Sequence, residues 1–228
     1  MSQERRIRQS GLIDENILHT PITVVGAGGI GSLTVMALTK VGFDKILVID
    51  PDTVEEHNLP NQFFRLQDIG KSKVAALAEI VKEFEGIDID TIQALWDIKQ
   101  GEECKGIVIS AVDSMRARTQ IYDSIASNRD VIGFVDGRMG GNQLEVYTVR
   151  FSDRESKKMY RKTLWSDGEA AQTRCTEKAV MYNVLTIASW ITNQTRLMLQ
   201  GKELNTTLIL DLENMILVCD KPTIKRGI

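Results

Sequence analysis

A short β-branched run that breaks into a glycine-rich turn most constrains how this chain folds. Residues 22 to 31 read Ile-Thr-Val-Val-Gly-Ala-Gly-Gly-Ile-Gly, and an apolar, helix-like stretch follows. A strand, a tight glycine turn and a helix in this order are typical of a nucleotide phosphate site. Gly26 allows the turn, Gly28 and Gly29 let the backbone approach phosphates, and Gly31 lets the helix lie close to the strand. The helix start would face the anion with free N–H groups and a positive dipole end.

A second strand-like run ends in a carboxylate. Residues 45 to 50 read Lys-Ile-Leu-Val-Ile-Asp, which places Asp50 about 20 residues beyond the glycines, where an adenosine ribose would sit. Strands and helices then alternate along the chain, and this alternation predicts a Rossmann-like, doubly wound α/β fold with a mostly parallel sheet. The predicted strands are 22–25, 45–49, 87–93, 106–111 and 131–135, and the predicted helices are 30–40, 72–85 and 114–127.

The C-terminal third follows a different pattern. Residues 143–150 alternate apolar and polar side chains, which indicates an antiparallel strand, and 208–210 with 215–218 indicate a terminal hairpin. We therefore expect a mixed sheet within a single domain that spans residues 1–228. Residues 152–176 carry many charges and little periodicity, so they are interpreted as an exposed crossover loop that carries Cys175.

A long apolar helix is predicted from 177 to 199. Its apolar face is wide enough to form either a symmetric dimer interface or part of the core. That face consists of Val180, Val184, Ile187, Trp190 and Ile191.

Composition excludes several classes of site. The 228 residues carry a formal net charge of −3, so there is no basic field for nucleic acid or an anionic membrane. The three cysteines form no close pair and the chain has two histidines, so no zinc is expected. Cys104 and Cys219 are expected to be inert packing residues. Neither a signal peptide nor a membrane-spanning segment is visible, which makes the cytoplasm the expected compartment.

Further motifs follow the second strand in a fixed order. They are Asp50-Pro-Asp52, Asn58-Leu-Pro-Asn61-Gln, Gly70-Lys-Ser-Lys73 and Asp113-Ser-Met-Arg-Ala-Arg118. Together with the glycine loop, this order resembles the ThiF/MoeB/HesA superfamily, the adenylating enzymes that are related to ubiquitin-activating enzymes. The resemblance extends over nearly the whole chain.

The resemblance implies ATP and Mg²⁺ as cofactors. The implied reaction is attack by a protein's C-terminal carboxylate on the α-phosphate, which gives an acyl adenylate and pyrophosphate. Such a reaction brings anions together, so it needs cations, a metal and accurate positioning. The implied partner is a small ubiquitin-like or sulfur-carrier protein that ends in Gly-Gly, and the chain itself is expected to form a homodimer.

Residue roles follow from the same resemblance. Asp50 would hold the ribose, Asn58 and Lys73 would bind the phosphates, and Asp113 would bind Mg²⁺. Arg8 resembles an arginine that, in homodimeric members, reaches into the partner subunit's nucleotide site. The other expected nucleotide-binding residues are Gly26, Gly28, Gly29, Gly31, Asp52, Asn61, Arg65 and Ser114.

Cys175 precedes Thr176 at a predicted helix start, as the Cys-Thr of activating enzymes does. A helix N-terminus and the neighbouring Arg174 would favour a thiolate nucleophile. The resemblance therefore implies a thioester or persulfide step after adenylation. The alternative is that Cys175 is a small buried apolar residue.

Asn61 departs from the family pattern because an arginine is usual at this position. Arg65 would substitute for that cation if the segment between them is helical. Other residues keep structural alternatives: Lys73 as a solvated helix lysine, Asp113 as a helix cap, Asp52 as the start of a turn, and Arg8 as part of a solvated tail. Two other functions also stay open, an NAD-dependent oxidoreductase and an inactive nucleotide-binding scaffold subunit of an activating complex.

Overall fold

A computed structural model describes residues 7–164 and 179–220, and these form one eight-stranded sheet flanked by helices. The strands are β1 (Ile22–Val25), β2 (Ile46–Ile49), β3 (Asp90–Ile92), β4 (Gly106–Ser110), β5 (Val131–Gly140), β6 (Gln143–Arg150), β7 (Thr207–Asp211) and β8 (Ile216–Cys219). The helices are α1 (Gly29–Val41), α2 (Lys73–Glu85), α3 (Ile98–Glu103), α4 (Met115–Ile125), α5 (Arg154–Arg161) and α6 (Met181–Leu199).

The sheet is parallel in its first half and antiparallel in its second. Its strand order is β3-β2-β1-β4-β5-β6-β7-β8, with β1 to β5 parallel and β6, β7 and β8 added antiparallel. The chain builds outward from β1 to β3 and then returns to the other side of β1 as β4. The predicted mixed α/β fold is confirmed, and the switch point beside β1 is where such sheets bind ligands.

Helix α6 buries most of its predicted apolar face in the core, whereas Val180 at its N-cap is half exposed. Val184, Ile187 and Ile191 are fully buried, and they belong to core clusters that include residues of α1 and the sheet. The close approach is visible at Gly137 of β5, where an added Cβ would lie 2.6 Å from Cδ1 of Ile191. Of the two interpretations of this face, burial in the core is therefore correct for these three residues. The dimer argument based on them is wrong.

The predicted crossover loop over 152–176 is wrong in its first part, because Arg154–Arg161 form α5. The side chain of Asp153 caps this helix by accepting from the N–H of Glu155. Only Ser156 and Tyr160 of the helix are buried. Two buried positions four residues apart, among charged ones, give a helical period too short to recognise in the sequence. Residues 165–178, which include Cys175, lie outside the described residues.

The two cysteines within the described residues differ from each other. Cys104 is buried, as predicted, and its thiol donates to Oγ1 of Thr23. Burial raises the pKa of this thiol, which keeps it protonated and unreactive. Cys219 lies exposed at the end of β8, so the prediction of a packing role is wrong there. Across residues 7–164 and 179–220, no helix combines the length and apolar character needed to span a membrane.

Candidate functional site

The glycine loop joins β1 to α1 and contacts the loop that follows β4. Gly26 has a φ of 97°, which favours glycine, and a Cβ there would lie 2.6 Å from the carbonyl oxygen of Ala111. At Gly31 a Cβ would lie 1.8 Å from the carbonyl oxygen of Gly26. Glycine is therefore required at both positions by the fold itself.

Gly28 is different, because nothing in the fold requires glycine there. It caps α1 with an ordinary φ of −74°, and an added Cβ would meet no atom of the described chain within 4 Å. The N–H groups of the first turn of α1 have no acceptor within the helix. An open glycine beside these N–H groups fits the close approach of a phosphate. This geometry supports the predicted role of the loop.

Asp50 lies directly after β2 and ties the glycine loop to the next segment. Its side chain is nearly buried, and Oδ2 accepts from the N–H of Ala27 at 2.6 Å. Oδ1 accepts from the N–H of Asp52 at 2.8 Å. The carboxylate therefore fixes the loop against the end of β2 while keeping lone pairs for sugar hydroxyls.

Lys73 is held by Asp52 at the start of α2. Its Nζ lies 2.8 Å from Oδ2 of Asp52, and its backbone N–H donates to the carbonyl of Asp52 at 2.9 Å. The lysine is 6% exposed, so the alternative of a solvated helix lysine is wrong. Asp52 is itself exposed and bonded to Asp50, which connects the lysine to the glycine loop through two carboxylates.

Asp113 lies in the loop between β4 and α4. The side chain is exposed and makes no hydrogen bond or ion pair with any described residue. The N-cap of α4 is Ser114, whose Oγ accepts from the N–H of Ala117 at 3.1 Å. The interpretation of Asp113 as the helix cap is therefore wrong, and its carboxylate is available to a ligand.

Asn58 and Asn61 both belong to the segment that follows Asp52. Asn58 is buried, and its Oδ1 accepts from the N–H of Glu55 at 2.9 Å. The carbonyl of Asn61 approaches the glycine loop so closely that a Cβ on Gly29 would lie 2.9 Å from it. The side chain of Asn61 donates to the carbonyl of Ala179 at 3.3 Å. This segment therefore borders the glycine loop.

Arg65 does not meet the condition for replacing the missing arginine, because residues 61–65 are not helical. Its guanidinium instead bonds to Asp68, through Nε at 2.9 Å and through its second terminal nitrogen at 3.0 Å. It also pairs with Glu79 and Glu83 of α2. Three carboxylates thus hold Arg65, and its guanidinium does not replace the missing arginine.

The buried Asp68 makes the fold sensitive to acid. Burial alone would raise its pKa, but hydrogen bonds from Arg65 and Lys71 outweigh burial and lower the pKa below 3.8. Its contribution to stability is present above pH 3.8 and is lost as pH falls through the lowered value. We expect Asp68→Asn to cost about 1–3 kcal/mol at neutral pH and to flatten the acid limb of a denaturation series. Asp88→Asn, at an exposed surface pair, is the control. An acid limb identical to that of the wild type would contradict this prediction.

Arg8 lies away from the glycine loop of its own chain. The neighbouring Gln9 donates through Nε2 to the carbonyl of Lys40, near the C-terminal end of α1, whereas the glycine loop is at the N-terminal end. The carbonyl of Leu12 accepts from Arg196 and Gln200 at the end of α6. Since α1 is about 20 Å long, the structure does not bring Arg8 to its own site.

The sequence analysis named Arg118 only as part of a motif and did not predict the buried network that this arginine joins beneath the site. Asp136 of β5 is fully buried and pairs with both Arg118 and Arg138. Tyr160 of α5 donates to its Oδ2 at 3.1 Å. Burial and the Asp136 carboxylate raise the pKa of this tyrosine, so its hydroxyl stays protonated as a donor. The available signal was Asp136, an acid that directly follows the apolar run Val131–Val135.

The residues present fit a magnesium ion that is shared with phosphates. Within the described ranges, no cluster of three or more His, Cys, Asp or Glu side chains is arranged to hold a metal. Mg²⁺ commonly takes one or two carboxylates and completes its shell with substrate phosphates and water. A single available carboxylate at Asp113, near the glycine loop, matches this kind of site.

Comparison with known families agrees with the geometry. The model of the ThiF family matches residues 4–223, which is nearly all of the sequence. The chain belongs to the ThiF family. The predicted resemblance to ThiF proteins is therefore confirmed.

Several curated proteins are similar to part of this ThiF chain. Ubiquitin-like modifier-activating enzyme 5 of Dictyostelium discoideum is 34% identical over 133 residues, which is 50% of this chain and 35% of that protein. SUMO-activating enzyme subunit uba-2 of Caenorhabditis elegans is 35% identical over 134 residues, covering 56% of this chain and 22% of that protein. The matched region thus spans about a third or less of these relatives.

Solved structures share the fold at low sequence identity. PaaA has a TM-score of 0.76 at 17% identity, with 97% of this chain and 74% of that chain covered. Escherichia coli MccB with ATP has a TM-score of 0.75 at 14% identity, covering 96% and 72%. The E. coli tRNA N6-threonylcarbamoyladenosine dehydratase TcdA has a TM-score of 0.67 at 20% identity, covering 87% and 95%. At these identities the likeness supports the α/β fold.

Proposed function

We propose that this ThiF chain is an ATP-dependent adenylyltransferase. It would activate the C-terminal carboxylate of a small ubiquitin-like or sulfur-carrier protein that ends in Gly-Gly. The observation that carries the proposal is the convergence of three loops at the carboxyl ends of β1, β2 and β4. These loops provide an open glycine beside a helix start, a buried carboxylate at Asp50, and an available carboxylate at Asp113.

Each of these groups has a place in the reaction. The glycine loop and α1 would bind phosphate oxygens, and Asp50 would accept hydrogen bonds from the ribose. Lys73 would neutralise phosphate charge, with Asp52 as its partner before the nucleotide binds. The incoming carboxylate oxygen would bond to the α-phosphorus while pyrophosphate leaves. Positioning and charge neutralisation are the main contributions that a protein makes to such a transfer.

Asp113 would hold Mg²⁺ in this site. When bound, the ion supplies positive charge that offsets the charge of the phosphates. Asn58 and Asn61 border the loop and would add hydrogen-bond donors, in place of the arginine that is usual at position 61. Ser114 keeps its role as the cap of α4, which fixes the residue that follows Asp113.

The choice of partner is supported by the curated relatives. Those proteins are activating enzymes for ubiquitin-like modifiers or SUMO, and MccB has been solved with ATP and with MccA. An oxidoreductase would need a group for hydride chemistry near the loop. The groups found there, Lys73 and Asp113, instead suit phosphates and a metal.

The proposal is tested by the exchange of labelled pyrophosphate into ATP. We expect exchange that depends on Mg²⁺ and on a small acceptor protein ending in Gly-Gly, with an acceptor lacking those two glycines as the control. Nucleotide binding without exchange would support an inactive scaffold subunit instead. Binding of NADH in preference to ATP would support an oxidoreductase. Either result would contradict the proposed function.

Cys175 is proposed to attack the acyl adenylate, so that its thiolate forms a thioester with the acyl group and AMP leaves. We expect Cys175→Ala to leave pyrophosphate exchange within about twofold of wild type, because adenylation needs no thiol. The same variant should lose any conjugate that a reductant or thiol releases, as detected on non-reducing gels. Cys219→Ala, at an exposed cysteine on β8, should retain both properties. Loss of exchange in Cys175→Ala would refute this division into two steps.

Arg8 is proposed to act in the partner subunit of a homodimer. Its position beyond the far end of α1 supports this proposal, since it cannot serve its own glycine loop without a large movement. Mixing Arg8→Ala with Asp113→Ala should restore exchange in heterodimers, each of which contains one intact site. The cytoplasm, with its supply of ATP, is the proposed compartment.

A further inference from the structure

The loop that carries Asp113 is anchored from beneath by a buried arginine. Arg118 of α4 is 5% exposed, and one of its terminal nitrogens donates to the carbonyl oxygen of Val112, the residue directly before Asp113. The other terminal nitrogen donates to the carbonyl of Gly137 at 2.9 Å and to Oδ1 of Asp136. One guanidinium therefore joins the Asp113 loop to strand β5.

The same loop is fixed on its other side to the glycine loop. The N–H of Ala111 donates to the carbonyl of Val25 at 2.8 Å, and Gly26 leaves no room for a Cβ beneath Ala111. The backbone on the N-terminal side of Asp113 is thus held at two points, while the carboxylate itself makes no bond within the described chain. A metal-ligating side chain suits this arrangement, because its backbone is held in place and its carboxylate oxygens stay available.

We propose that the buried Arg118–Asp136 pair is a positioning unit that sets where the Asp113 carboxylate meets the metal. The inference rests on the proposed function, because it assigns Mg²⁺ to Asp113. Burying two opposite charges costs desolvation energy, so the pair is poorly explained as a source of stability alone. A planar guanidinium with several fixed donors can bond a carboxylate and two carbonyls at once, which an ammonium cannot do with the same geometry.

Arg138 provides a matched control for Arg118, because both arginines pair with Asp136. Its Oδ2 accepts from Nε of Arg138 at 2.7 Å, so both arginines bond to the same buried carboxylate. The terminal nitrogens of Arg138 donate to Thr163, through the carbonyl and through Oγ1, both at 2.9 Å. Arg138 thus contacts the segment that directly follows α5, and Arg118 contacts the Asp113 loop. Arg118→Lys and Arg138→Lys remove similar buried bonds but disturb different segments.

The experiment compares these two variants by binding of AMPCPP, an ATP analogue that cannot release pyrophosphate by α-phosphate attack. We expect Arg118→Lys to weaken binding with Mg²⁺ by about tenfold or more, as the loss of groups that orient metal ligands commonly does. Binding in EDTA should stay at the wild-type value. Arg138→Lys should match the wild type under both conditions. Equal losses in the two variants, or an Arg118→Lys loss that persists in EDTA, would overturn the inference.

Hydrogen exchange of the ligand-free protein provides a second measurement, which does not depend on any nucleotide. Peptides covering residues 110–114 should exchange faster in Arg118→Lys than in the wild type or in Arg138→Lys. If Arg118→Lys does not fold, Arg118→Gln is compared with Arg138→Gln in the same way. Failure of both Arg118 variants to fold, while both Arg138 variants fold, would overturn the inference, because the arginine would then serve the fold.

The two proposals fail in different ways. A wild-type protein that binds no AMPCPP with Mg²⁺ would overturn the proposed function and, with it, the assignment of a metal to Asp113. A wild-type protein that binds, together with an Arg118→Lys protein that behaves like Arg138→Lys in binding and in hydrogen exchange, would overturn the positioning role alone.

Discussion

Gly31→Ala is expected to destabilise the fold, whereas Gly28→Ala is expected to keep the fold and lose nucleotide affinity. Gly31→Ala would place a Cβ 1.8 Å from the carbonyl oxygen of Gly26, so the backbone of the loop or of α1 must move. We expect a loss of at least about 3 kcal/mol in the free energy of unfolding, and little folded protein. Gly28→Ala meets open space, so its stability should stay within about 0.5 kcal/mol of wild type.

Gly28→Ala should instead fail in binding. A methyl group at this position would lie where we propose that a phosphate approaches the N–H groups of α1. The affinity for AMPCPP should fall about tenfold or more, which corresponds to about 1.4 kcal/mol, as measured by titration calorimetry. Thermal unfolding of the same samples separates the two effects.

Gly11→Ala is the control for this pair. Gly11 also has open space around an added Cβ, and it lies in the N-terminal segment near the far end of α1. This variant should retain both stability and affinity. A Gly28→Ala protein that binds AMPCPP as the wild type does would contradict the assignment of the glycine loop as the phosphate site.

Asp113→Ala is expected to abolish the proposed reaction without unfolding the protein. The side chain is exposed and α4 keeps its Ser114 cap, so the melting temperature should not change. Pyrophosphate exchange should fall by at least about 100-fold, because charge-stabilising groups at reacting phosphates have effects of this size. Excess Mg²⁺ should not restore the rate, since the described residues contain no cluster of three or more metal-ligating side chains that would replace Asp113.

Asp88→Ala is a suitable control for Asp113→Ala. Asp88 is also exposed, but it precedes β3. It therefore lies at the amino-terminal ends of the parallel strands, whereas Asp113 lies at their carboxyl ends. Removal of the Asp88 carboxylate should leave exchange at the wild-type rate. Near-normal exchange in Asp113→Ala at high Mg²⁺ would show that another group holds the metal.

The fold was predictable because its signals are local. The glycine loop, the acid after the second strand and the alternation of apolar runs each lie within a few residues, and each implies a backbone geometry. The structure confirms the mixed sheet and places Asp50, Lys73 and Asp113 after β2, at α2 and after β4. These positions follow from the parallel order of the strands.

The parts that sequence analysis missed depend on contacts between distant residues. Whether Arg65 faces a phosphate or a carboxylate depends on Asp68, Glu79 and Glu83, which reach it only after α2 has packed. The pairing of Arg118 with Asp136 joins a helix to a strand 18 residues away. Helix α5 was missed for a different reason, because eight mostly charged residues give too few buried positions to establish a period.

The hydrogen bonds of Asp50 connect the proposed recognition of the sugar with the proposed recognition of the phosphates. One carboxylate accepts from the amide of Ala27 in the first loop and from the amide of Asp52 in the next. A sugar hydroxyl that binds the same oxygens must share them with both amides. In the proposed nucleotide site, affinity for the nucleoside and the shape of the phosphate-binding loop would therefore be thermodynamically linked through one side chain. A substitution at Asp50 would then change both properties together.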